Sequence, residues 1–210
     1  MWHNKGVIYD TLANPEVVAK TITSLKSNGI NAMVVKDGLE AKQRVLEMIP
    51  EGAEVFTMQS MTLKTLEIDK AINESGKYNS VRNQLMKLNR QTQSLQMQKM
   101  GAAPEYCVGS VNAITEDGKV VIASNTGSQL SAYVYGSAHV IWVVGTQKIV
   151  PDLDTALKRI NDHVLPLESD RINKAYNLTT GSYVSKLLII TREISPTRLT
   201  LIFVPEVVGY

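Results

Sequence analysis

The stretch Gly109–Val150 constrains the fold more than any other part of the chain. Two apolar runs flank Asp117-Gly118, a dipeptide that favours a tight hairpin turn. The second run, Val120–Ala123, empties into Ser124-Asn125-Thr126-Gly127-Ser128-Gln129, small polar residues around one glycine. Helical composition follows over Gln129–Tyr135, and a buried-type strand over His139–Val144. Strand, polar loop, helix, strand is thus the expected order. Such a loop turns backbone N–H groups outward at a helix start, and an anion is the natural ligand there.

The preceding residues repeat this rhythm. Asn14-Pro15-Glu16 combines a cap, a proline suited to the first helical position and an acid at the positive helix end. Val17, Val18, Ile22 and Leu25 keep helical spacing, and Asn28-Gly29 stops the helix. Ile30–Val35 reads as a strand, the residues after Asp37-Gly38 as a second helix, and Ala53–Met58 as the next strand. Strand–helix–strand alternation predicts α/β architecture with a mostly parallel sheet and right-handed crossovers.

Gln59-Ser60-Met61-Thr62-Leu63 is a second polar loop where a strand gives way to a helix. Ser60 or Thr62 serves there as a plain cap, or faces a ligand with the free N–H groups. In an open α/β sheet ligands gather at the carboxyl ends of strands, which is where both loops are expected. Lys148 is the one cation near the end of the 139–144 strand, placed either to anchor an anion or to snorkel to water.

The segment from Gly76 to Ala103 carries Lys77, Arg82, Lys87, Arg90 and Lys99 and no acid. Val81, Leu85, Leu88 and Leu95 predict one long amphipathic helix over about 77–100, inserted in a single domain spanning 1–210. A solvated basic face is the favoured reading, with docking of a partner or a second copy as the alternative. Pro151-Asp152 opens a helix with Leu153, Ala156, Leu157 and Ile160 on one face, and Leu165-Pro166 breaks it. Lys186–Ile190 and Leu199–Val204 are the last strands, expected as an antiparallel pair at a sheet edge.

Several functions are argued against. The formal net charge of +2 is too small to point to nucleic acid. The longest apolar run, Ala138–Val144, is too short for a membrane helix. One cysteine, Cys107, excludes an internal disulfide framework and a cluster ligated by this chain's thiolates alone. His3, His139 and His163 have no metal-ligand spacing. No dinucleotide, phosphate-loop or serine-hydrolase motif occurs, so no cofactor is evident. Glu67, Glu116 and Glu168 are candidate acids or bases, with nothing to select among them. No apolar run follows Met1-Trp2-His3-Asn4-Lys5-Gly6, and a cytoplasmic, reducing location is expected.

The segments Gly109–Thr115, Ser124-x-x-Gly127-Ser128-Gln129, Val144-Gly145-x-Gln147-Lys148-Ile149-Val150 and Ser60-x-Thr62-Leu63 resemble the LUD-domain family, related to lactate-utilisation protein C. The resemblance runs from the first strand to about Arg171. It implies a three-layer α/β/α sandwich, like the ribose-5-phosphate isomerase and CoA-transferase group, with ligands at strand ends and an antiparallel sheet edge. Ser60, Thr62, Gly127, Ser128, Gln129 and Lys148 carry over as ligand-pocket residues, and Ser124, Asn125 and Thr126 complete the candidate loop. Where more typical members carry a Glu-Thr-Gly-Thr-like segment, this chain has Asn125-Thr126-Gly127-Ser128. Some members act beside iron–sulfur subunits in lactate oxidation. Two function classes follow: a site for a small carboxylate or phosphate, or an accessory subunit docking on an iron–sulfur oxidoreductase, with a homo-oligomer as the other assembly.

Overall fold

The computed structural model describes residues 9–210; His3 and the N-terminal residues read for a signal lie outside them. Helix α1 (Pro15–Ser27) starts where the Asn14 side chain accepts from Glu16 N at 2.8 Å. Strand β1 (Asn31–Val34), α2 (Gly38–Glu47) and β2 (Glu54–Thr57) follow as the alternation predicts. Then come the short helices α3 (Met61–Thr65) and α4 (Ile68–Asn73), the two-residue strand β3 (Asn79–Ser80), α5 (Val81–Leu85), α6 (Ser94–Ala102) and β4 (Tyr106–Gly109). Strands β5 (Ala113–Thr115) and β6 (Val120–Ser124) form the hairpin around Asp117-Gly118. A π-helical turn (Ala132–Gly136), β7 (His139–Gly145), a 3₁₀ turn (Thr146–Lys148) and β8 (Ile149–Val150) complete the central stretch. Helix α7 (Leu153–Arg159) runs through a π turn (Ile160–Val164) into α8 (Leu165–Tyr176), before β9 (Lys186–Ile190) and β10 (Leu199–Val204).

Six strands form an entirely parallel sheet in the order β1-β10-β7-β4-β2-β3. Side chains alternate across it. Val140, Trp142 and Val144 of β7 join the core shared with α1, α5 and the second sheet. Ile141 and Val143 face the opposite core, closed by α2, α3 and α4. This is the expected three-layer α/β/α sandwich, with a four-stranded mixed sheet, β8-β5-β6-β9, in one layer. Helix α7 closes the far side of that sheet through Ala156 against Ala113 and Val121.

The structure corrects three expectations. The last two strands do not pair. Leu199–Val204 is buried on both faces, as an interior parallel strand must be, and β10 lies between β1 and β7. Lys186–Ile190 is partly exposed and forms the edge of the mixed sheet, antiparallel to β6.

The basic segment is not one helix. Ser80 Oγ accepts from Asn83 N at 3.2 Å and starts α5, which ends after five residues. Between α5 and α6, Asn89 Oδ1 accepts from Gln91 N and Gln93 Oε1 accepts from Asn89 N. These short-range bonds compete with the helical ladder. Arg82 also leaves the basic face, its Nε and Nη2 donating to Thr57 O at 2.9 and 2.5 Å.

The third correction concerns Leu165-Pro166, which does not break the chain into two helices. The π turn carries the helical path into α8, and Pro166 falls in its first turn, where no N–H is needed.

Candidate functional site

The carboxyl ends of four adjacent strands, β2, β4, β7 and β10, converge on Lys148. After β2, Ser60 caps α3, its Oγ accepting from Leu63 N at 3.4 Å, and Thr62 follows one turn in. After β4 comes Ser110, and after β7 the 3₁₀ turn delivers Lys148. The Lys148 ammonium donates to Thr62 Oγ1 at 3.1 Å, Ser110 Oγ at 3.3 Å and Val111 O at 3.3 Å. After β10, Val208 O accepts from Thr62 Oγ1 at 3.1 Å and from Gln147 Nε2 at 3.2 Å. Lys148 and Thr62 are each 1% exposed, so this cluster lies beneath the surface rather than at a pocket rim.

No carboxylate pairs with Lys148 among the described residues. Burial, reinforced by the nearby positive charge of Arg159, pushes the lysine pKa down to about 7. Arg159 is fully buried. Its Nη1 donates to Asn112 O at 2.6 Å, so two cations hold the consecutive carbonyls of Val111 and Asn112.

The Ser124–Gln129 loop follows β6, in the mixed sheet rather than the parallel one. Its bonds are largely internal. Gly127 N donates to Ser124 Oγ at 2.8 Å, Ser128 N to Thr126 Oγ1 at 3.3 Å, and Ser124 Oγ to Gln129 Oε1 at 2.9 Å. Asn125 Oδ1 accepts from Ser185 Oγ. Thus two of the N–H groups expected to face a ligand are already satisfied by the loop's own hydroxyls. Helix α3 has five residues and the helical turns after Gln129 are few, so neither offers much dipole.

The loop and the lysine cluster are joined through Ser110–Asn112. Ala123 N donates to Asn112 Oδ1 at 2.8 Å. Tyr133, in the π turn beyond the loop, donates its hydroxyl to Ser110 O at 3.4 Å. Gly109 makes this approach possible, since a Cβ there would lie 1.9 Å from the Tyr133 oxygen. Ser110, Asn112, Tyr133 and Arg159 were not among the residues expected from sequence. Arg159 had a signal: it stands three residues after Ala156, on the apolar face of α7.

Other candidates are inert or remote. Burial pushes the Cys107 thiol well up, as expected of a structural cysteine. Glu168 accepts from Arg171 Nε and Nη2, both at 2.6 Å, and from Tyr210 Oη at 2.5 Å. Among the described residues no cluster of three or more His, Cys, Asp or Glu side chains could hold a metal, and no helix is long and apolar enough to cross a membrane. Surface hollows lie elsewhere, around Lys36, Leu39 and Arg44 and around Lys42, Leu66 and Glu206.

Strand ends of a parallel sheet gathered on a buried, acid-free lysine define a class of α/β protein built to receive a ligand at that edge. The family model for the LUD domain matches residues 18–204, and the chain belongs to that family. A crystal structure of a DUF162 family protein from Deinococcus radiodurans superposes with a TM-score of 0.57 at 11% identity, covering 92% of this chain and 99% of the other. At that identity the likeness concerns the fold. Translation factor eIF2B beta from Chaetomium thermophilum overlaps 56% of this chain and 44% of its own at 12% identity, with a TM-score of 0.38, too low to bear on the fold. No curated protein matches the sequence.

Proposed function

We propose that this LUD-domain protein binds a small anionic metabolite, a carboxylate or a phosphate, at the carboxyl ends of β2, β4 and β7. The observation that carries the reading is the environment of Lys148: a buried ammonium among hydroxyls and a carbonyl, with no acid to balance it. An interior charge without a counter-charge is costly, and an anion would offset that cost. Thr62 and Ser110 are the first-contact hydroxyls. The Ser124–Gln129 loop, with Ser60 on the other side, forms the wall, and the exposed Lys186 beside Gly127 adds charge there. The carbonyls of Val208 and Gly209, which accept from Thr62 and Gln147, occupy positions a ligand oxygen would take. Entry therefore requires this segment to move.

The grouping with CoA-transferase-like folds and a place in lactate or other organic-acid oxidation belong to the same proposal, supported by family membership. A cytoplasmic location suits the single buried thiol. A thermal-shift screen of organic acids, sugar phosphates and CoA esters tests the reading. A ligand that raises the melting temperature of the wild type and not of Lys148→Met supports it; no response to any anion sinks it.

A second reading, an accessory subunit on an iron–sulfur oxidoreductase, draws on the basic segment. Met86 and Leu95 are exposed there among Lys87, Arg90 and Lys99. Exposed apolar side chains within a cationic rim suit an acidic partner surface. Charge reversal at Lys87, Arg90 and Lys99 would abolish co-purification of such a partner; unchanged co-purification would end this reading.

A further inference from the structure

Arg159 holds one half of its guanidinium in use and the other half free. Nη1 is engaged by Asn112 O. Nε and Nη2 are buried and have no hydrogen-bond partner. Those two atoms share one edge of the planar group, so their N–H bonds run parallel, in the spacing that matches the two oxygens of a carboxylate. The residue has no solvent exposure, and no described acid forms an ion pair with it. The nearest acid acting on it is Asp10, which is partly exposed and lies instead 3.3 Å from His163 Nε2, out of hydrogen-bonding alignment. The Tyr9 ring sits 5.8 Å from the guanidinium carbon and supplies no acceptor oxygen to that edge. Buried donors are almost always paired, so two adjacent orphans on one charged group require an explanation.

The surroundings narrow the ligand. Arg159 and Lys148 hold neighbouring carbonyls, so the free edge belongs to the same enclosed region as the lysine cluster. The three Lys148 protons are directed at Thr62, Ser110 and Val111. The free donors of this region are therefore the two on Arg159, with His163 Nε2 as the remaining unpartnered atom on the same helical path. A phosphate presents three or four acceptor oxygens and would be left under-satisfied. A carboxylate presents two. The π turn that begins at Ile160, immediately after Arg159, is the kind of helical irregularity found at functional sites.

We propose that the Nε–Nη2 edge of Arg159 is the receptor for the carboxylate of a small monocarboxylic acid, held bidentate, with Lys148 supplying the second positive charge. This rests on the reading of the Lys148 cluster as an anion site and narrows it from anions in general to carboxylates.

The test uses the full chain with ¹⁵Nε-labelled arginine. Pyruvate and inorganic phosphate are titrated separately while the Arg159 Nε–H resonance is followed, assigned by its absence in Arg159→Lys. Pyruvate is expected to shift that resonance and slow its exchange with water, and phosphate to do neither. Arg159→Lys keeps the charge and loses the fork, so its pyruvate affinity should fall by about tenfold or more, as for losing a charge-assisted hydrogen bond. An Nε–H that pyruvate leaves unmoved overturns the proposal on wild-type protein alone, whether or not the variant folds. So does pyruvate binding to folded Arg159→Lys at wild-type strength. Phosphate binding that is lost in Lys148→Met, without a pyruvate response at Arg159, overturns this inference and leaves the general anion site standing. No response to either probe overturns both.

Discussion

Lys148 Nζ lies 3.1 Å from Thr62 Oγ1 and ties the turn after β7 to the first turn of α3 across 86 positions of sequence. Thr62 passes its own proton to Val208 O, leaving its lone pairs to the ammonium. The interior end of this chain of bonds is a cation with no anion. Lys148→Met removes that cation while keeping an unbranched side chain of similar girth. Anion affinity should fall by about 1–3 kcal/mol, the range for a hydrogen bond to a charged group. Isothermal titration calorimetry of wild type and variant with pyruvate measures it; unaltered affinity would place the ligand elsewhere.

The same lysine makes stability depend on pH. Its pKa stands at about 7 in the fold against 10.5 as the model value, chiefly from burial and then from Arg159. Between those values the unfolded chain holds a proton that the folded protein lacks, so stability rises with pH across that window. The slope from this group is up to about 1.4 kcal/mol per pH unit. Below pH 7 both states are protonated and the dependence vanishes. Urea melts of wild type minus Lys148→Met between pH 6 and pH 10 isolate the effect. A bound anion holds the proton on, so ligand affinity should weaken as pH rises through about 7. A flat difference curve would mean that Lys148 keeps an ordinary pKa.

Much of this was legible beforehand, and the remainder has physical reasons for being hidden. Thr62 and Lys148 follow apolar runs that read as strands, and strand ends are where a parallel sheet exposes its backbone to ligands. Burial of Lys148 was not legible, because the covering residue, Val208, is far away in sequence. The run Leu199–Val204 shows a strand buried on both faces, yet its position between β1 and β7 depends on non-local pairing. Arg82 and Arg159 were hidden by the habit of assigning charges to solvated faces. Each follows or joins an apolar face and turns its guanidinium onto a backbone carbonyl. The 89–93 interruption depends on which Asn and Gln side chains bond the backbone, a choice settled only with the chain in place.

Gly127 is expected to matter for the fold as well as for ligand approach. Its φ is +84°, and a Cβ would meet Lys186 Cδ at 2.6 Å. The lysine end can swing away, so the main cost of Gly127→Ala is the left-handed backbone, about 1–2 kcal/mol. Gly127→Val adds a β-branched side chain and should cost more. This revises the sequence-based expectation that Gly127→Val weakens binding with little change in fold. Chemical denaturation of both variants checks the order; equal stability to wild type would mean that the loop relaxes to another conformation at no cost.

Arg198 anchors the far side of the site. Its Nη2 donates to Ala132 O at 3.2 Å and Tyr133 O at 2.8 Å, its Nε to Ser137 O at 3.0 Å, and its Nη1 to Glu193 Oε2 at 2.7 Å. The side chains of Arg198 and Glu193 are only 10% and 11% exposed, so the pair is shielded from water. One guanidinium thus holds the π turn that carries Tyr133, whose hydroxyl reaches Ser110 beside Lys148. Arg198→Met would leave Glu193 charged without its partner and three carbonyls without their donor. Loss of one member of such a pair costs about 3–5 kcal/mol. Adding Glu193→Gln should recover part of that, because it removes the stranded charge, while the carbonyls stay unpaired. Urea denaturation of the two single variants and the double variant measures the coupling. A loss for Arg198→Met below about 1 kcal/mol, the range of exposed ion pairs, would mean that water reaches the clamp and that the π turn is held by apolar packing instead.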